Sequence, residues 1–86
     1  MKVITLKIEN DTILKESVNE EVFDKYIKVI QPKLKTINWA KDFDPEIFGM
    51  DWIQVKKNED SITITTDSTA KDWCYMFKDI FDEVKE

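Results

Sequence analysis

The last third of the chain limits the fold most, because two hydrophobic periods follow each other there almost without a gap. Ile53 and Val55 alternate with Trp52, Gln54 and Lys56, and Ile62 and Ile64 alternate with Ser61, Thr63 and Thr65. Alternation of this kind puts every second side chain on one face of a strand. Asn58-Glu59-Asp60 between the runs is short and polar, so residues 52–57 and 61–66 are expected to form a β-hairpin. The period then lengthens. Ala70, Trp73, Cys74, Phe77, Ile80, Phe81 and Val84 recur at three- and four-residue steps, the spacing of one helical face. Asp67-Ser68-Thr69 offers oxygen acceptors for the unpaired amides at the start of that helix.

The N-terminal part repeats the scheme. Ile4, Leu6 and Ile8 alternate with Val3, Thr5 and Lys7, which predicts a strand over residues 2–8, closed by the polar Glu9-Asn10-Asp11. Ser17-Val18-Asn19-Glu20 has the form of a capping box, and Val18, Val22, Phe23, Tyr26, Ile27 and Ile30 make an apolar stripe behind it. Pro32 lacks an amide proton and crowds the preceding turn, so this helix is expected to end or kink near residues 30–31. Residues 33–51 are the least regular. Asp44-Pro45-Glu46 reads as a cap, a first-turn proline and an acid, with Gly49 placed to stop a helix of one or two turns.

The expected architecture is α+β: a three-stranded antiparallel sheet with two helices on one face, all of residues 1–86 forming one domain. With a right-handed crossover through the first helix, strand 2–8 would lie beside strand 61–66, which becomes central. This order resembles a ferredoxin-like split β-α-β unit lacking its last strand, a likeness of topology that implies no activity.

Composition narrows the chemistry. All 13 basic residues are Lys, and His is absent. Without Arg there is no planar fork for bidentate phosphate or guanine recognition. Without His the side chain best suited to proton transfer near neutrality is missing. No Ser or Cys therefore has a His partner for nucleophilic catalysis, and no Gly-rich phosphate loop is present. A single cysteine, Cys74, precludes an intramolecular disulfide and a Cys/His zinc site, and its place on the apolar stripe reads as an inert core position. Net charge is −5, so a polyanion is repelled unless the lysines are segregated on one surface. The expectation is accordingly a protein with no catalytic residues, no cofactor, no metal and no direct nucleic-acid partner. The charged alternation of residues 1–8 does not read as a signal peptide, and no apolar run is long enough to span a membrane, so the cytoplasm is the expected location.

Two surfaces stand out as candidates. One is the sheet face turned away from the helices, with Val3, Thr5, Lys7, Trp52, Gln54, Lys56, Ser61, Thr63 and Thr65. Its alternatives are a platform centred on an exposed Trp52 or ordinary solvated sheet with Trp52 covered by the preceding segment. The other is the stretch from Trp39 to Trp52, where Asp42, Asp44, Glu46 and Asp51 interleave with Trp39, Phe43, Phe48, Met50 and Trp52. Aromatic anchors ringed by one sign of charge suit a basic or mixed-charge protein partner; alternatively the rings close the open end of a small core. Asp42-x-Asp44-x-Glu46 fails as a calcium loop, because Ile47 and Ile53 stand where glycine and glutamate are needed.

The functional expectation is a non-catalytic, acidic protein-binding module, such as an inhibitor, an immunity-type protein or an anti-defence protein of a mobile element. The alternative is a self-associating accessory or structural domain pairing through strand 2–8 or the hairpin edge.

Overall fold

The computed structural model describes residues 1–38, 47–50 and 52–85, with side chains for 1–34 and 52–85. The elements are β1 (Lys2–Ile8), β2 (Asp11–Val18), α1 (Glu20–Asn38), β3 (Ile47–Met50), β4 (Ile53–Lys57), β5 (Ser61–Thr66), a 3-10 turn (Ser68–Ala70) and α2 (Lys71–Lys85). The strands make one sheet in the order β2-β1-β5-β4-β3. The fold is therefore α+β, but the expected three-stranded antiparallel sheet is corrected to a five-stranded mixed one. β1 does lie beside β5, in parallel register, with Ile4 opposite Ile62 and Leu6 opposite Ile64. Backbone bonds from Val3 N to the Asp60 carbonyl (2.9 Å) and from Glu9 N to the Thr66 carbonyl (2.7 Å) extend that pairing at both ends. The split β-α-β likeness does not survive, because β2 lies between β1 and α1 in the chain and β1 runs parallel to β5, hence antiparallel to β4.

β2 escaped the period-two reading for a physical reason. A two-residue turn, Glu9-Asn10, folds the chain back on β1, and Glu9 takes a left-handed conformation (φ 54°). The register then slips: Leu6 faces Leu14 but Lys7 faces Thr12, so Ile13 is an extra residue in a β-bulge. Ile13 and Leu14 both pack against the core although they are adjacent in sequence, which erases the alternation.

The first helix also differs at both ends. Ser17 belongs to β2, and Asn19 is the cap: its Oδ1 accepts from Val22 N at 2.9 Å. The helix runs through Pro32 to Asn38 rather than stopping before it. An internal proline costs about 3 kcal/mol or more. Here Leu34, one turn after Ile30 and fully buried like it, extends the apolar stripe past the proline and offsets that cost. Gly49 does not stop a helix; it lies in β3 opposite Gln54 of β4. Asp44, Pro45 and Glu46 lie outside the described residues.

Both helices pack on one face of the sheet. Ile4, Leu6, Ile53, Val55, Ile62 and Ile64 are buried beneath Phe23, Tyr26, Ile30 and Leu34 of α1 and Cys74, Phe77, Ile80 and Phe81 of α2. Tyr26 joins the helices: its ring meets Phe81 edge-on at 5.8 Å, and its hydroxyl donates to the Phe77 carbonyl at 2.9 Å. Burial, and secondarily the nearby Cys74, hold the Tyr26 phenol well above its ordinary range, so it remains a donor. Lys2 and Lys57 place their ammonium groups 5.8 and 5.9 Å from the Phe23 ring centre, closing the core at that end. No helix among the described residues is long and apolar enough to cross a membrane.

The passage of α1 through Pro32 makes Leu34 a core residue. Leu34→Ala is expected to cost about 2–4 kcal/mol in denaturant unfolding. A cost within experimental error would mean that the helix does not bury this turn.

Candidate protein-binding surface

Trp52 sits in the turn entering β4, and its carbonyl accepts from Asp67 N at 3.1 Å, which ties the start of β4 to the end of β5. Asp67 is fixed by its own work as a cap. Its Oδ1 accepts from Ala70 N at 3.0 Å and from the Thr69 hydroxyl at 2.6 Å, as the sequence pattern implied. The 3-10 turn that follows brings the first residues of α2 up to Trp52. As a result Trp52, Thr69, Ala70 and Trp73 line one cleft of about 300 Å³.

Trp73 follows from the helical stripe, but it is not a core residue. It is only partly buried, its ring tilted against Phe77 with centres 6.2 Å apart. On its other side Trp73 lines a second hollow of about 190 Å³ with Asp72 and Met76. Trp52 likewise borders a third, of about 210 Å³, with Glu9, Gln54 and Asp67. Two partly exposed indoles thus sit between three shallow concavities at one end of the sheet. Glu9, Asp67 and Asp72 lie around them. Rings of this kind supply large contact area, and surrounding carboxylates favour a cationic approach.

Of the residues singled out in the sequence, Trp52 is placed in this cleft. Phe48 lies in β3 opposite Val55 by register, its side chain outside the described set. Trp39, Asp42, Phe43, Asp44, Glu46 and Asp51 lie outside the described residues. Trp73, Thr69 and Met76 were not singled out. Trp73 fits the apolar period of α2 as well as Phe77 does, so periodicity alone could not separate rim from core. The remaining signal is its position three residues after Ala70, in the first turn, where a large ring reaches past the end of the sheet.

In the hollow that Trp52 shares with Glu9, Gln54 and Asp67, Thr66 is 2 % exposed and its hydroxyl has no hydrogen-bond partner among the described residues. The adjacent Cys74 thiol donates instead to the Lys7 carbonyl at 3.5 Å. Burial pushes the Cys74 thiol up from its ordinary pKa, and the Thr66 hydroxyl, which would donate to a thiolate there, offsets part of that shift. Cys74 is therefore a protonated, buried thiol at neutral pH, poorly suited to nucleophilic attack. No group of three or more Cys, Asp or Glu among the described residues is placed to hold a metal ion.

Set against protein-family models, curated proteins and solved structures, the chain gives no match.

A buried hydroxyl without a partner is destabilising. Thr66→Val keeps the shape and removes the hydroxyl, and is expected to raise stability by about 1 kcal/mol in chemical denaturation. A loss of that size would show that Oγ1 is satisfied, for instance by a bound water.

Proposed function

We propose that this chain is a non-catalytic protein-binding module that recognises a basic or mixed-charge protein through the cleft between Trp52 and Trp73. The single observation that carries this reading is the shared cleft itself. Two tryptophans, one in the turn entering β4 and one on α2, line the same cleft at the surface and are left partly open. Burying both rings completely would remove more apolar surface from water than the free protein achieves. Tryptophan is also the residue type that most often dominates interface energetics. Glu9, Asp67 and Asp72 around the cleft give the charge preference, and the stretch from Trp39 to Asp51 adds further rings and acids next to it in sequence.

Within this class, an inhibitor, an immunity-type protein or an anti-defence protein of a mobile element suits the size and the acidic balance. Such proteins act by occupying a surface of their target and need no chemistry of their own. Self-association is the second reading, and the sheet topology relocates it. β1 is paired on both sides and β4 is covered by β3, so neither is a free edge; β2 and β3 are the edge strands. β2 carries a bulge and the charged Lys15 and Glu16, features that protect an edge against a second copy.

The test is co-purification from the native host with the wild-type chain, Trp73→Ala and Asp72→Lys, each first shown to melt cooperatively. A partner captured by the wild type is expected to be lost with Trp73→Ala. With Asp72→Lys it is expected to be weakened several-fold, in a salt-dependent way. Retention of the partner by both variants would place the interface elsewhere.

A further inference from the structure

The sheet has a second face, and the strand registers set out its residues. Lys15 lies opposite Thr5, Thr5 opposite Thr63, and Thr63 opposite Lys56, giving a row of four across β2, β1, β5 and β4. A second row runs Thr12, Lys7, Thr65 and Gln54, and a third runs Ser17, Val3 and Ser61. These residues point away from the helices, because their neighbours Ile4, Leu6, Ile53, Val55, Ile62 and Ile64 are buried beneath them. The face therefore carries three lysines and six hydroxyls with no acid among the described residues, in a chain of net charge −5. The acids lie at its rim, in the turns: Glu9 and Asp67 at one end, Glu59 and Asp60 at the other. Asp60 is already paired with Lys2 at 3.4 Å. Among the described residues none of Lys7, Lys15 and Lys56 has an ion-pair partner.

We infer that this open face is a docking surface for an acidic segment of a partner protein. With strands about 4.8 Å apart, Lys15 and Lys56 are about 14 Å apart, and Lys7 lies about 7 Å off their row. A peptide with carboxylates a few residues apart can meet all three ammonium groups, with threonine hydroxyls between them as further donors to carboxylate oxygens. The screening length at physiological salt is about 8 Å, so a segment lying on the face is governed by these lysines rather than by the acids on the helix side. A nucleic-acid strand has the same charge but lacks its other requirements here. Among the described residues the face has one aromatic side chain near it, Trp52 at the end beside Gln54 and Thr65, which is no platform for successive bases, and the chain has no Arg. This surface adjoins the tryptophan cleft at Gln54 and Thr65, but it is argued from its lysines and does not rest on that cleft.

The experiment uses a fluorescein-labelled polyglutamate peptide of about 20 residues and an oligothymidylate of similar charge, read by anisotropy at roughly 50 and 300 mM salt. Polyglutamate is expected to bind at the lower salt and to weaken at the higher. Lys15→Glu with Lys56→Glu is expected to weaken it about tenfold, and Lys15→Gln with Lys56→Gln by less. The control pair Lys28→Glu with Lys33→Glu, on the exposed side of α1, makes the same charge change and is expected to leave the affinity within about twofold. Trp73→Ala is expected to leave it unchanged, which separates this face from the cleft. The proposal is overturned if the wild type does not bind polyglutamate, or if the control pair weakens binding as much as the face pair. Oligothymidylate binding as tight as polyglutamate would overturn it too, by making the face a nucleic-acid site.

Discussion

The parallel pairing of β1 with β5 is the contact on which the rest of the structure depends. It joins the first strand of the chain to the last and places β5 at the centre of the sheet. Ile4, Leu6, Ile62 and Ile64 then form one continuous apolar surface, to which β4 adds Ile53 and Val55. Both helices bury their stripes on this surface and against each other. Parallel pairing also sets the outer face. It aligns Thr5 with Thr63 and Lys7 with Thr65, so the residues excluded from the core gather into one hydroxyl-rich, basic sheet face.

Charge is thus distributed by fold rather than by sequence neighbourhood. Along the chain, lysines and acids are intermixed, and a net charge of −5 suggests a uniformly acidic protein. Folding separates them. Strand periodicity sends Lys7, Lys15 and Lys56 to the outer sheet face, while the acids fall mostly in turns and on the helices. The same geometry leaves Trp52 and Trp73 at the sheet end, among Glu9, Asp67 and Asp72. A small protein with one acidic, aromatic corner and one basic, polar face is equipped to contact partners of opposite charge.

How much of this was readable in advance depended on whether local pattern and tertiary context agreed. They agreed for β1, β4, β5 and α2, where an unbroken period of two or of 3–4 coincides with one buried face, and for Asp67, whose cap is a local interaction. They disagreed at three places. The bulge at Ile13 broke the alternation of β2, so the strand was invisible to a period-two reading. Pro32 argued for a helix end, but the burial of Leu34 one turn later outweighed the lost hydrogen bond. Gly49, the only glycine, looked like a helix stop and instead lies in an edge strand. At the candidate site Trp52 was legible as an isolated ring at a strand start. Trp73 was not, because a residue on the rim of a helical stripe has the same spacing as one at its centre.

The claim that β1 and β5 organise the molecule is tested most directly by native-state amide hydrogen exchange followed by NMR. The account predicts that the slowest amides lie in β1 and β5 alike, exchanging only through global unfolding, with β2 and β3 faster as edge strands. Amides of β1 exchanging far faster than those of β4 and β5 would contradict it. In that case the β4–β5 hairpin would be the stable unit and β1 an accessory strand.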